Sequence, residues 1–107
     1  MICIKRQDYK DGQFCWIAED ANGVIGQITI KAGDVPEIIR LEFEQAEIGD
    51  GLIKTAAAFF AAAGVQKMSI SDDSDKTREV AFTAGFIQTK TGLELDPAHV
   101  KRNCGGH

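Results

Sequence analysis

Residues 48–64 have the sequence IGDGLIKTAAAFFAAAG, in which two early glycines precede a long run of alanine and phenylalanine. Apolar residues recur there at three- and four-residue intervals, at Leu52, Ile53, Ala56, Phe59, Phe60 and Ala63. This spacing predicts an amphipathic helix rather than a strand. Gly64 suits the position just past the end of such a helix.

The beginning of this segment predicts an anion-binding turn. Gly49 and Gly51 would let the backbone turn tightly and approach a ligand, while Asp50 would cap the first free amides. Strands are predicted before it, at residues 37–44, and after the helix, at residues 67–71. Because the unpaired amides and the helix dipole both attract negative charge, the functional hypothesis for this turn is an anion site.

The composition bounds the class of protein. We expect one domain over residues 1–107, with residues 103–107 as a flexible tail. A hydrophobic content of 44% and a charged content of 26% are typical of soluble globular proteins. A net charge of −4 argues against a nucleic-acid partner. The chain has no apolar run long enough to cross a membrane and no signal-peptide core at its start, so we expect a cytoplasmic protein.

Three cysteines, Cys3, Cys15 and Cys104, cannot all pair, and none has a CxxC spacing. We expect Cys3 and Cys15, which lie in predicted strands, to be small buried hydrophobic residues. A reduced, intracellular protein agrees best with this usage.

The remaining pattern predicts a sheet and a second helix. Strands are expected at residues 1–5, 14–19, 24–31, 37–44, 67–71, 86–89 and 93–95. Asn22-Gly23 predicts a hairpin, and a helix at residues 75–84 would be stopped by Gly85.

The strands share one apolar face and one polar face. In the strand before the main helix, Ile39, Leu41 and Phe43 should point one way, and Arg40, Glu42 and Glu44 the other. The fold class predicted is therefore α+β, a mostly antiparallel mixed sheet with both helices largely on one face.

The order of these elements resembles that of the GCN5-related N-acetyltransferase (GNAT) family. The resemblance covers about residues 16–96 and is carried by EDANGVIGQITI, IGDGLIKTAAAFFAAAG and TAGFIQTKTGLELD, the last with the family's Gly-Phe after the second helix. It implies a GNAT-like domain that uses acetyl-coenzyme A (acetyl-CoA) as co-substrate. This chain would be a short version, because only residues 6–13 separate the first two strands, where the family usually inserts two helices.

The resemblance also implies cofactor-binding residues. The pyrophosphate would lie on Ile48, Gly49, Asp50, Gly51 and Leu52, and the pantetheine arm along Leu41, Phe43 and Glu44. Lys54 is the nearby cation, and Ser74 stands at the position of an asparagine in the family's second-helix motif.

The chain departs from the family pattern in three further ways. The leading Gln or Arg of the pyrophosphate motif falls on Ala46 in one register and on Glu44 in another. Glu44, Glu47 and Asp50 would bring like charge toward phosphates, at about 1 kcal/mol per pair 4 Å apart in water. The family's tyrosine, a general acid toward the departing thiolate, is replaced by Ala81.

Glu42 and Glu44 are the candidate catalytic bases, because an ammonium group must lose a proton before it can attack a thioester. The alternative is that both are solvated strand carboxylates, the commoner role of such residues. Tyr9, the only tyrosine, could replace the missing acid or could serve as a surface residue.

Cys104 and His107 could share a metal ion or form a nucleophile pair, but only His99 is near enough in sequence to add a ligand. We therefore expect an untethered tail and no metal site. Phe59 and Phe60 are expected in the core, and Trp16 in the core or in a dimer seam.

Two functional hypotheses follow. The first is an acetyl-CoA-dependent N-acetyltransferase that acts on an unidentified amine. The alternative is a non-catalytic GNAT-derived interaction or regulatory module with weak or lost coenzyme A binding. The polar sheet face leaves room for a homodimer in either case.

Overall fold

The computed structural model describes residues 2–7, 12–72, 74–90 and 92–97. Its elements, in chain order, are β1 (Cys3–Gln7), β2 (Gln13–Asp20), β3 (Gly23–Lys31), β4 (Glu37–Phe43), α1 (Ala46–Ala62), β5 (Met68–Ile70), α2 (Asp75–Ala84), β6 (Ile87–Thr89) and β7 (Gly92–Leu95). The strands form a mixed sheet in the order β1-β2-β3-β4-β5-β7-β6. Neighbouring strands are antiparallel except β4 and β5, which are parallel. The predicted fold class is confirmed.

The first two strands pair directly as neighbours, with Cys3 opposite Glu19 and Gln7 opposite Cys15. Only residues 8–12 join them, which is too short a connection for the two helices that the family usually has there. The prediction of a short version is therefore confirmed. No helix in the described part of the chain is long and apolar enough to cross a membrane.

The β2–β3 hairpin turns at Ala21 and Asn22, because Asp20 pairs with Gly23. The Asn22 amide donates to Asp20 Oδ1 at 2.7 Å, and Gly23 has φ +124°, a backbone conformation that favours glycine. The hairpin predicted from Asn22-Gly23 is confirmed.

Both helices pack on the same face of the sheet and enclose the core. Alternate residues of β3 are buried beneath them, which is the period of two expected for a half-buried strand. An aromatic cluster closes one end of this core, with ring centroids 5.3 Å apart for Phe14 and Phe60 and 5.5 Å apart for Trp16 and Phe59. Trp16 and Phe60 are thus core residues, while Phe59 is half-buried against the core.

The predicted inward position of Ile39 is wrong. Thr29 pairs with Arg40 but Ile30 pairs with Ile38, so Ile39 is the extra residue of a β-bulge. Because the bulge shifts the alternation by one residue, Ile38 is fully buried and Ile39 only half-buried. Leu41 and Phe43 remain buried as predicted.

The predicted burial of Cys3 is also wrong. Cys3 is exposed and Cys15 half-buried. The physical reason is position: β1 is an edge strand, and both thiols lie outside the hydrophobic core.

Candidate functional site

The parallel strands β4 and β5 diverge after a short common run. They pair only at Glu37–Ser69 and Ile38–Ile70, followed by one bond from the Ser71 amide to the Ile38 carbonyl at 3.0 Å. Strand β4 then continues to Phe43, past the bulge and beyond the end of β5. We call the gap between residues 41–44 on one side and residues 71, 72 and 74–76 on the other the β4–β5 opening. Among the residues that the structure describes, this edge of β4 has no neighbouring strand.

Two side chains of the second half of the chain contact this edge. The Leu41 amide donates to Asp72 Oδ2 at 3.4 Å, and Lys76 Nζ donates to the Phe43 carbonyl at 2.6 Å. The Lys76 ammonium also lies 4.4 Å from the centroid of the Phe43 ring. Asp72 Oδ2 in turn accepts from Thr77 Oγ1 at 3.2 Å, which ties the edge of β4 to the first turn of α2.

Lys76 was missed by sequence reasoning. The sequence signal for a role of Lys76 is a cation in the first turn of a helix, where the dipole disfavours positive charge. An acidic residue such as the neighbouring Asp75 is the kind expected there. The sequence could not show that this cation is directed at a carbonyl 33 residues away.

The glycine turn predicted before α1 is wrong in its placement. Helix α1 begins at Ala46, with Gln45 in the N-cap position and no side-chain cap. Gly49, Asp50 and Gly51 therefore lie inside the helix, and Asp50 is not in its N-cap position. The first two amides of the helix, those of Ala46 and Glu47, have no carbonyl within the helix to which they could donate.

The early glycine of α1 serves packing against the sheet. A Cβ at Gly49 would lie 2.8 Å from Phe43 Cδ1, closer than carbon atoms tolerate. Gly26 on β3 has the same role, because a Cβ there would lie 2.7 Å from Ile48 Cγ2. The close approach that these glycines allow brings the beginning of α1 onto the end of β4. This packing buries the side chains of Ile48 and Leu52, so only the backbone of these two residues could contact a ligand.

The charges around the beginning of α1 are partly compensated. Lys54 Nζ and Asp50 Oδ2 form an ion pair at 2.8 Å, with side chains 19% and 11% exposed. Lys54, the predicted cation for phosphates, is thus held by Asp50. Of the three carboxylates expected to repel phosphate, Glu44 and Glu47 remain exposed.

Ser74 caps α2, because its Oγ accepts the Thr77 amide at 3.3 Å. This is a local structural role for the residue that stands in the place of the family's asparagine. Ala81, in the place of the family's tyrosine, is fully buried in the core. No acid can come from that position.

Both candidate bases line one cleft at the ends of β3 and β4. The cleft has a volume of about 250 Å³ and is lined by Val24, Ile25, Gly26, Gln27, Glu42, Phe43 and Glu44. Within it, Glu42 Oε2 accepts from Arg40 Nε at 2.7 Å and from Arg40 Nη2 at 2.6 Å. Glu44 is exposed at the junction of β4 and α1.

Several predicted residues lie outside the described residues, namely Tyr9, His99, Cys104 and His107. Within the part of the chain that the structure describes, no three His, Cys, Asp or Glu side chains are grouped to hold a metal ion.

Of the comparisons with known proteins, the one with solved structures finds matches. No protein-family model matches the sequence, and no curated protein matches it either. Solved structures do match. An IAA acetyltransferase from Bacillus cereus is 15% identical with a TM-score of 0.72, over 83% of this chain and 79% of that one.

Two further solved structures extend the comparison. The ribosomal-protein-S18-alanine N-acetyltransferase from Escherichia coli is 8% identical with a TM-score of 0.74, over 96% of this chain and 98% of that one. A GNAT family acetyltransferase from Elizabethkingia anophelis, with acetyl-CoA bound, is 16% identical with a TM-score of 0.67, over 82% and 77%. The fold of this chain is the GNAT fold, as the resemblance implied.

Proposed function

We propose that this chain is an acetyl-CoA-dependent N-acetyltransferase that binds its acyl donor along the β4–β5 opening. The observation that carries the proposal is the unpaired edge of β4, which leads directly to the beginning of α1. A solved structure of the same fold, from Elizabethkingia anophelis, holds acetyl-CoA. Acetyl-CoA would supply an acetyl group as a thioester.

The residues of the opening fit such a donor. An extended arm with amide groups can pair with a free strand edge, and the edge at Leu41 and Phe43 offers an N–H and a carbonyl for this purpose. A pyrophosphate can be met by the leading amides of α1, those of Ala46 and Glu47. The Asp50–Lys54 pair supports this placement, because it removes one of the three carboxylates from the charge balance.

The cleft beside the opening is our candidate acceptor site. An amine arrives as an ammonium ion at neutral pH, so a carboxylate is needed both to hold it and to take its proton. Glu42 is engaged by Arg40 at 2.6 Å, whereas Glu44 is exposed on the side where β4 meets α1. We therefore assign the role of base to Glu44. With Ala81 in the place of the acid, the proton for the departing thiolate comes from water.

Thermal unfolding with and without millimolar acetyl-CoA tests the proposal. A ligand that binds only the folded chain stabilises it by RT ln(1 + [L]/Kd), about 2.7 kcal/mol at a hundredfold excess over Kd. ATP at the same concentration is the control for non-specific effects of phosphate. An equal shift with both ligands, or none with either, would refute donor binding.

A further inference from the structure

The Lys76 side chain spans the β4–β5 opening. It begins in the first turn of α2 and ends at the Phe43 carbonyl, 2.6 Å away, with its ammonium 4.4 Å from the Phe43 ring centroid. Phe43 is two residues before Gln45, the N-cap position of α1. Lys76 therefore sits between the beginnings of both helices.

This position has a cost for α2. A cation in the first turn opposes the helix dipole. The ammonium instead satisfies a carbonyl of the strand edge that a bound amide chain would need. Asp72 does the same for the Leu41 amide, at the longer distance of 3.4 Å. In the free protein, side chains of the chain itself occupy the groups that the donor would pair with.

We propose that Lys76 is a displaceable latch that selects donors bearing phosphate. This inference rests on the proposed function and adds to it a rule of specificity. In the free protein Lys76 closes the opening on Phe43. When a donor takes the Phe43 carbonyl, the lysine swings away on its flexible four-carbon stem, and its ammonium becomes the counter-charge for the donor's phosphates.

The latch would also supply positive charge near the carboxylates at the beginning of α1. Glu44 and Glu47 are exposed there, and Lys54 is held by Asp50. A cation released from Phe43 would offset these carboxylates only while a phosphate is present. A thioester without phosphates must displace Lys76 and gains nothing from its charge. Acetyl-CoA should therefore be favoured over acetylpantetheine by more than its extra contacts alone provide.

The test measures dissociation constants of acetyl-CoA and S-acetylpantetheine by calorimetry, for the unaltered protein and for Lys76→Met. Methionine has a similar length but neither charge nor donor. We expect acetyl-CoA to bind roughly tenfold more weakly to the variant, the loss of one charge-assisted hydrogen bond. Acetylpantetheine should bind about threefold more tightly, because it no longer has to break the bond to Phe43.

Two further variants serve as controls. Lys31→Met removes an exposed lysine at the opposite end of the β3–β4 ladder, beside Glu37, and should change neither constant. Lys76→Arg keeps a cation and a donor, and both constants should stay close to those of the unaltered protein. If Lys76→Met folds poorly, Lys76→Arg still tests the latch. A loss of acetyl-CoA affinity in Lys76→Arg, which keeps the positive charge, would refute a role of charge.

The other outcomes are distinct. If Lys76→Met weakens both ligands equally, or changes neither, the latch is refuted while donor binding stands. If no form of the protein binds acetyl-CoA, the proposed function fails and the latch fails with it.

Discussion

Gly49 and Gly51 are two residues apart in α1 but have different surroundings. A Cβ at Gly49 would lie 2.8 Å from the Phe43 ring, whereas one at Gly51 would meet, among the described residues, only Ile4 Cδ1, at 3.4 Å. Gly49→Ala should therefore lower the free energy of unfolding by about 1–3 kcal/mol through overpacking. Gly51→Ala should leave it unchanged or raise it by up to about 1 kcal/mol, because alanine favours a helix. Urea denaturation of both variants gives the comparison, and equal losses would show that Gly49 has no special packing role.

The largely buried ion pair of Asp50 and Lys54 should behave as a unit. Lys54→Met removes the ammonium that lies 2.8 Å from the Asp50 carboxylate, which is 11% exposed, and should destabilise the fold by about 2–4 kcal/mol. Adding Asp50→Asn removes that charge, so the double variant should be more stable than Lys54→Met alone. If the double variant is less stable than Lys54→Met, the ion pair with Lys54 is not what holds Asp50 in place.

The two glutamates of the cleft should differ in catalysis. Glu44→Gln removes our proposed base and should lower kcat/KM for amine acetylation by about a hundredfold at neutral pH. Glu42→Gln removes a carboxylate already paired with Arg40 and should lower it far less. The rate of thiol release from acetyl-CoA measures the activity of both variants. Equal effects of the two changes would rule out a specific role of Glu44.

At the scale of elements, the two helices begin differently. Ser74 caps α2 through its side chain, while Gln45 gives α1 no side-chain cap. Ser74→Ala should thus destabilise the protein by about 1 kcal/mol, and Gln45→Ser should stabilise it by about 0.5–1 kcal/mol. Thermal unfolding of both variants tests this contrast. A loss of stability in Gln45→Ser would mean that the α1 amides already have partners.

The order and type of the elements could be predicted from the sequence because those signals are local. Alternation identified β3 and β4, three- and four-residue spacing identified α1, and Asn22-Gly23 identified the hairpin. The bulge at Ile39 could not be predicted this way, since it depends on the pairing of β3 with β4. That one residue moved Ile38 into the core and lies where β4 and β5 begin to diverge.

The site was predictable in location but not in detail. The segment 41–52 was identified, yet Gly49 proved to be a packing residue and Asp50 the partner of Lys54. Both outcomes depend on which side chains the sheet brings against α1, which no local pattern encodes. Lys76 was missed for the same reason, because Phe43 is 33 residues away in sequence.

At the scale of the whole molecule, the parallel pair within an otherwise antiparallel sheet organises the site. Crossing from β4 to β5 by α1, and leaving β5 by α2, places the beginnings of both helices at the same end of that pair. The polar face of the sheet has no helix on it among the described residues. Self-association through that face stays a prediction, which sedimentation would test.

The most direct test of donor binding follows backbone amide resonances during titration with acetyl-CoA. Binding along the β4–β5 opening predicts the largest shifts at residues 41–47, 72 and 74–77, with small changes at the β2–β3 hairpin. The contrary result is a spectrum unchanged at millimolar acetyl-CoA, or shifts confined to other strands. It would leave a GNAT fold that serves as an interaction module without an acyl donor.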